Sequence, residues 1–287
     1  MNPTKRISVL LPVYNGAETV NSAIRSTLKA MGKNDELLVL IQGSNLDDYM
    51  IGEISDSRLQ LFYEEQGQGI AQALNILGRK ASGEFIARMD QDDICLKSRF
   101  NRQLRAMHKF NSDFVFSNAL LFGRQIRPFG LIPQLPFGLK PRVSNLMLPL
   151  QNPFIHPTML ARRSVLEKLN YYQESVAEDY DLWIRAASQG YKLRKIPGYG
   201  LLYRVHGQQY SQGENFQKRV NQDGYISESK GQLINFLIKS GELDQGAEIE
   251  AELKSRLKQS DAISRILYSR AGRLLLRIAN KSLGKSG

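Results

Sequence analysis

This 287-residue sequence predicts an α/β fold: a mainly parallel twisted sheet flanked by helices and followed by a helical C-terminal extension. Three observations predict it. Short apolar runs alternate with stretches of helical spacing in the first part of the chain, the pattern of right-handed βαβ crossovers. Most of those runs are continuously apolar, as strands covered on both faces are. The fourth run, Phe85-Ile86-Ala87-Arg88-Met89, leads straight into Asp90-Gln91-Asp92-Asp93, and ligands of parallel sheets sit beyond the carboxyl ends of strands.

In chain order, Ile7-Ser8-Val9-Leu10-Leu11 reads as the first strand, interrupted at Pro12, which has no N–H for a ladder. Leu37 to Ile41, Leu59 to Tyr63 and Phe85 to Met89 read as the next three. Helical spacing covers residues 17–31, 47–56 and 69–80, and a further helix starts near Leu96. From Pro128 to Pro157 the periodicity breaks into a segment containing Pro133, Pro136, Pro141, Pro149 and Pro153. A loop of that length reads as a functional lid or as disorder. Glu178 to Gln189 is a helix with Leu182, Trp183 and Ala186 facing inward. Tyr191 to Ile196 and Gly200 to Arg204 look like two more strands. From about residue 214 the chain is helical and polar, which sets a boundary near Ser211 between a domain of residues 1–211 and an extension of residues 212–287.

Composition narrows the classes. The hydrophobic share of 42% with 23% charged residues is that of a soluble globular protein. No apolar run approaches the roughly 18 residues of a membrane span. The N-terminus lacks the pattern of a cleaved secretory signal, so a cytoplasmic location is expected. A single cysteine, Cys95, permits neither an internal disulfide nor a zinc cluster and reads as a small buried hydrophobe. The formal net charge of +11 raises nucleic acid as a partner. Yet the positive charge is concentrated in the tail and the usual nucleic-acid modules do not appear, so none is expected.

Against that positive balance the acids at the fourth strand end stand out. Three clustered carboxylates at the edge of a buried strand cost repulsion and desolvation unless a cation or hydrogen-bond donors offset them. Hard oxygen ligands suit Mg²⁺ or Mn²⁺ with positions left open for diphosphate oxygens. The alternative is a solvated turn whose acids cap the following helix.

Other segments recur with this triplet in one order: Leu11-Pro12-Val13-Tyr14-Asn15, Asn75 with Ala81-Ser82-Gly83-Glu84, His156-Pro157-Thr158, Glu178-Asp179-Tyr180-Asp181-Leu182-Trp183 and Tyr203-Arg204-Val205-His206. Over residues 5 to 211 the chain resembles the family 2 inverting glycosyltransferases, which have the GT-A fold. The resemblance implies that Pro12, Val13, Tyr14 and Glu18 contact the donor nucleotide and that Asp90 lies near its ribose. It implies that Asp92 ligates a divalent metal, with His206 completing the metal or diphosphate site, and that Asp93 orients the loop or reaches the metal through water. Asp179 becomes the general base, with Glu178 and His156 on the acceptor side. The chain departs from the family where two acidic residues commonly precede Gly-Ser, because it has Ile41-Gln42-Gly43-Ser44. Gln42 can donate and accept towards a base but carries no charge.

The implied reaction moves a sugar from a nucleoside diphosphate sugar to an acceptor hydroxyl, with a lipid-linked saccharide as the implied acceptor. The rival reading is a non-catalytic binding or scaffold protein that keeps the fold while Gln42 weakens donor binding. In the tail, Ile263, Ile266, Leu267, Leu274, Leu275 and Ile278 make an apolar stripe amid Arg265, Arg270, Arg273, Arg277 and Lys281. Such a helix either lies on an anionic membrane surface or docks on the preceding domain.

Overall fold

A computed structural model describes residues 6–14, 17–43, 54–123, 132–133, 138–205, 215–244 and 248–260. The first half follows the alternation: β1 (Ile7–Tyr14), α1 (Ala17–Ala30), β2 (Glu36–Gln42), β3 (Leu59–Glu64), α2 (Ile70–Lys80), β4 (Phe85–Arg88), β5 (Ile94–Cys95) and α3 (Arg99–Phe110). The rest runs β6 (Phe114–Phe122), β7 (Ile132–Pro133), α4 (Pro141–Met147), a 3₁₀ turn at His156–Thr158, β8 (Met159–Arg162), α5 (Arg163–Lys168), α6 (Glu178–Ser188), β9 (Leu193–Arg204), α7 (Phe216–Gln222), α8 (Gly224–Lys239) and α9 (Ile249–Ser260).

One sheet in the order β3-β2-β1-β4-β8-β6-β9-β5, with β7 on β6, carries the molecule. The β3-β2-β1-β4 half is parallel throughout. β8 is antiparallel to both β4 and β6, while β9 returns parallel to β6. The continuous apolar runs have the cause expected of them. In β1, Ile7, Val9, Leu11 and Val13 join a core with α1 and α3, whereas Leu10 joins a second core with α2, α4 and α6.

Polar residues on the same strands are tied in pairs. Ser8 Oγ donates to Glu36 Oε1 at 2.6 Å, and Ser82 Oγ and N–H both reach that oxygen at 2.8 Å. Gly83 N–H donates to Ser8 Oγ at 2.8 Å, and a Cβ on Gly83 would lie 2.7 Å from the Ser8 nitrogen. Only glycine permits that approach, which explains the Ser82-Gly83 step before β4.

Four readings need correction. β1 does not stop at Pro12 but runs to Tyr14; its β4 ladder ends with Met89 N–H donating to Leu10 O, so Pro12 lies past that pairing and breaks nothing. The helix expected near Leu96 starts at Arg99, because residues 94–95 are first paired to β9. The two strands read between Tyr191 and Arg204 are the single strand β9, irregular against β6 around Asn118. The Pro-rich segment is not a structureless loop over its described part: Pro141 stands at the start of α4, where a missing N–H costs nothing, and Val143, Leu146 and Met147 are buried. The helix read over residues 47–56 falls mostly outside the described residues, and its described end at 54–56 is not helical.

Beyond the position of Ser211, which lies outside the described residues, α7, α8 and α9 pack on the core that holds α6: Val220, Ile226, Leu233, Leu237, Leu253 and Leu257 are all buried in it. Ser229 Oγ on α8 donates to the fully buried Asp181 at 2.7 Å, and Arg185 pairs with the other Asp181 oxygen at 2.7 Å. The basic stripe from Ile263 to Lys281 lies outside the described residues. Among the described residues no helix is long and apolar enough to cross a membrane.

Candidate active site

Beyond the carboxyl ends of β1, β2 and β4 opens a cavity of about 1350 Å³, walled on the other side by residues 150–157, the start of α6, and α7–α8. Asp90 and Asp92 line its floor, and Asp93 is buried beside them, with one carboxylate oxygen from each of the three within 4.8 Å of the others. They do not cap α3. Its N-cap is Ser98, and the acids are instead fastened to the end of β9: Arg204 N–H donates to Asp93 Oδ1 at 2.8 Å and Arg204 Nε to Asp92 O at 2.7 Å. Between them Gln91 clamps the end of β1, accepting from Tyr14 N–H at 2.7 Å and donating to Tyr14 O at 2.9 Å.

Arg88, buried on β4, reaches Asp90 at 2.5 Å. Asp93 is the most enclosed acid. Burial, then the charges of Asp90 and Asp92, push its carboxyl well above the ordinary carboxylate range. Its Oδ2 is buried without a hydrogen-bond partner among the described residues. An orphaned carboxylate oxygen inside a triad of acids fits a hard divalent cation. His206, the other metal candidate, lies outside the described residues.

The nucleotide-side candidates divide. Pro12, Val13, Tyr14, Gln42 and Asp90 all line the cavity. Tyr14 is 56% exposed with its ring over Gly67, where a Cβ would come within 2.9 Å of Tyr14 Cε2. Gln42 is buried at the end of β2 with its Nε2 unpartnered among the described residues, a stranded donor at the cavity wall. Glu18 sits exposed in the first turn of α1 and does not line the cavity.

Across the cavity α6 begins with Glu178 and Asp179. Asp179 Oδ1 accepts from Tyr180 N–H at 2.7 Å and Oδ2 from Asn152 Nδ2 at 3.0 Å. Burial raises its pKa nonetheless. Glu178 is pushed up to about 7 by burial. His156 Nδ1 lies 3.5 Å from Glu178 Oε1, and burial lowers that imidazole to about 4, so a neutral ring faces the carboxyl.

The other His156 nitrogen meets Tyr172 Oη at 2.9 Å. Tyr172 is in turn held by Asn75, whose amide donates to Tyr172 O at 2.9 Å and accepts from Tyr172 N–H at 3.0 Å. Asn75 therefore reaches the site through two intermediaries. Asp181, next along the helix, belongs to the core, and Trp183 packs edge-on against Phe114, Phe116 and His156 without exposure. Cys95 is buried, and burial raises its thiol pKa, which suits a packing role.

Sequence reasoning missed Asn152, Tyr172 and the clamp made by Gln91. Asn152 and Tyr172 act on partners far away in sequence. Gln91 lay within the motif but was hidden by its acidic neighbours.

A twisted α/β sheet with an acid triplet at its parallel strand ends, facing a carboxylate pair across one cavity, defines a GT-A-like protein. The profile of Glycosyl transferase family 2 matches residues 8–169, more than half of the chain, and the chain belongs to that family. Over 113 residues it is 37% identical to an Escherichia coli protein, the UDP-Glc:alpha-D-GlcNAc-diphosphoundecaprenol beta-1,3-glucosyltransferase WfgD, covering 39% of this chain and 45% of that one. It is 28% identical over 184 residues to the uncharacterized glycosyltransferase RT0329 of Rickettsia typhi, covering 62% and 58%. The match thus spans less than two thirds of either relative.

Two solved structures share the fold. Staphylococcus aureus TarS 1-349 in complex with UDP-GlcNAc has a TM-score of 0.61 at 17% identity, covering 96% of this chain and 88% of TarS. The mannosyltransferase PcManGT of Pyrobaculum calidifontis, in complex with GDP-Man and Mn²⁺, has a TM-score of 0.51 at 16% identity, covering 98% and 88%.

Proposed function

We infer that this chain is a metal-dependent inverting glycosyltransferase that moves a sugar from a nucleoside diphosphate donor, a UDP-sugar, to a hydroxyl of a lipid-linked saccharide in bacterial surface polysaccharide assembly. The observation that carries the reading is the shared cavity, in which Asp90 and Asp92, clustered with the buried Asp93, stand on one side and Asp179 on the other. Charge is available where a diphosphate departs, and a proton acceptor where a hydroxyl attacks.

Asp92 and Asp93 would hold the cation, Mn²⁺ or Mg²⁺, which supplies neutralisation of charge on the leaving nucleoside diphosphate. Tyr14 offers a stacking face to the base, and the stranded Gln42 amide offers it a donor. Asp179 takes the proton of the acceptor hydroxyl, oriented by Asn152 and the Tyr180 N–H. The hydroxyl attacks the anomeric carbon from the face opposite the diphosphate, so configuration inverts in a single displacement. Support for a metal comes from the Mn²⁺ in PcManGT, and support for the donor and acceptor classes from the name of WfgD. A lipid-linked acceptor places the work at the cytoplasmic membrane face, where the basic stripe from Arg265 to Lys281 suits anionic lipid.

The test is thermal shift with a panel of nucleoside diphosphates and their sugars, with and without Mn²⁺, on the wild type and Asp92→Ala. The expected result is stabilisation that needs the metal and vanishes in the variant. No shift with any nucleotide under any metal condition sinks the enzyme reading and leaves the scaffold reading standing.

A further inference from the structure

Charge along the cavity wall is uneven. Asp90, Asp92, Glu174, Glu178 and Asp179 all line it, and the Arg88 guanidinium is already engaged by Asp90. Lys230, from the middle of α8, is the remaining cation on the described wall. Its ammonium lies 5.3 Å from the centre of the Tyr180 ring, and no ion pair joins it to a carboxylate among the described residues. Half-buried, it pays for lost solvation, and burial alone shifts its pKa, downward. An ammonium held over an aromatic face beside a cavity, with no carboxylate partner among the described residues, is placed to take an anion from the ligand.

Position says which ligand. The acid triplet lies at the strand ends, whereas Lys230 belongs to the α7–α8 wall together with Phe216 and Val220, next to the residue that follows Asp179. It also lies outside residues 8–169, the part of the chain that matches the family profile. A donor diphosphate at the acids leaves Lys230 on the side from which the acceptor enters.

We propose that Lys230 binds an anionic oxygen group carried by the acceptor, on the side of the attacking sugar away from the donor. The inference rests on the glycosyltransferase reading of the cavity. Two sources share the chemistry: a phosphate that links the saccharide to its lipid, and a carboxylate on an acidic sugar.

The experiment titrates the full chain, loaded with UDP and Mn²⁺, with three soluble probes: an octyl glycoside of N-acetylglucosamine, the same sugar joined to octyl through a diphosphate, and octyl glucuronide. Wild type, Lys230→Met and Lys230→Arg are compared by calorimetry. The expected result is a preference of roughly tenfold for an anionic probe over the neutral one, lost in Lys230→Met and largely kept in Lys230→Arg. Preference for the diphosphate identifies phosphate as the source, and preference for the glucuronide identifies the sugar carboxylate.

Equal binding of all three probes by the wild type overturns the proposal, as does an unchanged preference in Lys230→Met. It is also overturned if Lys230→Met weakens UDP and not the acceptor probes. Failure of the underlying enzyme reading looks different, because then the wild type takes up no UDP with Mn²⁺ in the loading step.

Discussion

The two acidic clusters of the cavity are built in opposite ways. Asp90, Asp92 and Asp93 come from four consecutive residues and crowd one another, and Asp93 keeps an oxygen that no described residue satisfies. Asp179 and Glu178 are also adjacent, but each is served by a neutral group from elsewhere: Asn152 for Asp179 and His156 for Glu178. The first arrangement sets three acids against one paired guanidinium, that of Arg88 on Asp90, and leaves Asp93 Oδ2 without a donor among the described residues, which suits a cation. The second lifts carboxyl pKa values by burial while orienting them, which suits proton uptake. Like residues thus acquire different chemistry from their surroundings.

The largest test of that contrast is Asp179→Asn. Turnover should fall by a factor of about 10²–10⁴ or more, while the Mn²⁺-dependent thermal shift with nucleotide remains as in the wild type. Equal loss of both would merge the two clusters into one function. Next is Asp93→Asn. Without metal it should raise the Tm by about 3 °C at alkaline pH, where the carboxylate that burial, Asp90 and Asp92 disfavour is replaced by a neutral amide whose oxygen still accepts from Arg204. With Mn²⁺ the nucleotide shift should shrink. A lowered metal-free Tm would show that the charge is compensated within the fold.

The pH dependence of stability sharpens the other side. The folded Glu178 carboxyl is raised from 4.5 to about 7, so its stabilising contribution is complete below 4.5 and is lost as pH rises through about 7. His156 is lowered from 6.5 to about 4, so its contribution is present above 6.5 and is lost as pH falls through about 4. The two slopes oppose each other between 4.5 and 6.5. The wild-type minus Glu178→Gln difference in unfolding free energy should therefore decline by up to ~3 kcal/mol between pH 4.5 and 7. A flat difference across chemical denaturation at several pH values would remove Glu178 as a raised group.

The smallest expected effect is at Gln42. Gln42→Ala should weaken nucleotide affinity by a factor of about 3–10 by removing one neutral donor, read by titration of UDP with Mn²⁺. No change would leave the stranded amide without a role in base binding.

Much of this was readable in the chain. Continuous apolar runs in β1 and β2 follow from burial on both faces, and the triplet at the end of β4 follows from local sequence alone. The motif beginning at Glu178 marked the start of α6, but three nearby acids looked alike. Asp181 turned out to be buried against Arg185 and Ser229, a partnership across 48 residues in the second case. β6 was not read as a strand, and β8 was given no bounds. Met159 to Arg162 is too short for a period to show, and both take their place from pairing with distant segments.

By itself the sequence determined which residues could bear chemistry, because side-chain type and local spacing are chain properties: acids after a strand, an acid pair opening a helix, a glutamine where the family commonly has an acid. Only the tertiary structure decided which of them meet. Asn75 reaches Tyr172 across 97 residues, and Asn152 reaches Asp179 across 27. The raised pKa values of Asp93, Glu178 and Asp179 likewise wait on burial, which the packing of distant elements creates and no local pattern encodes.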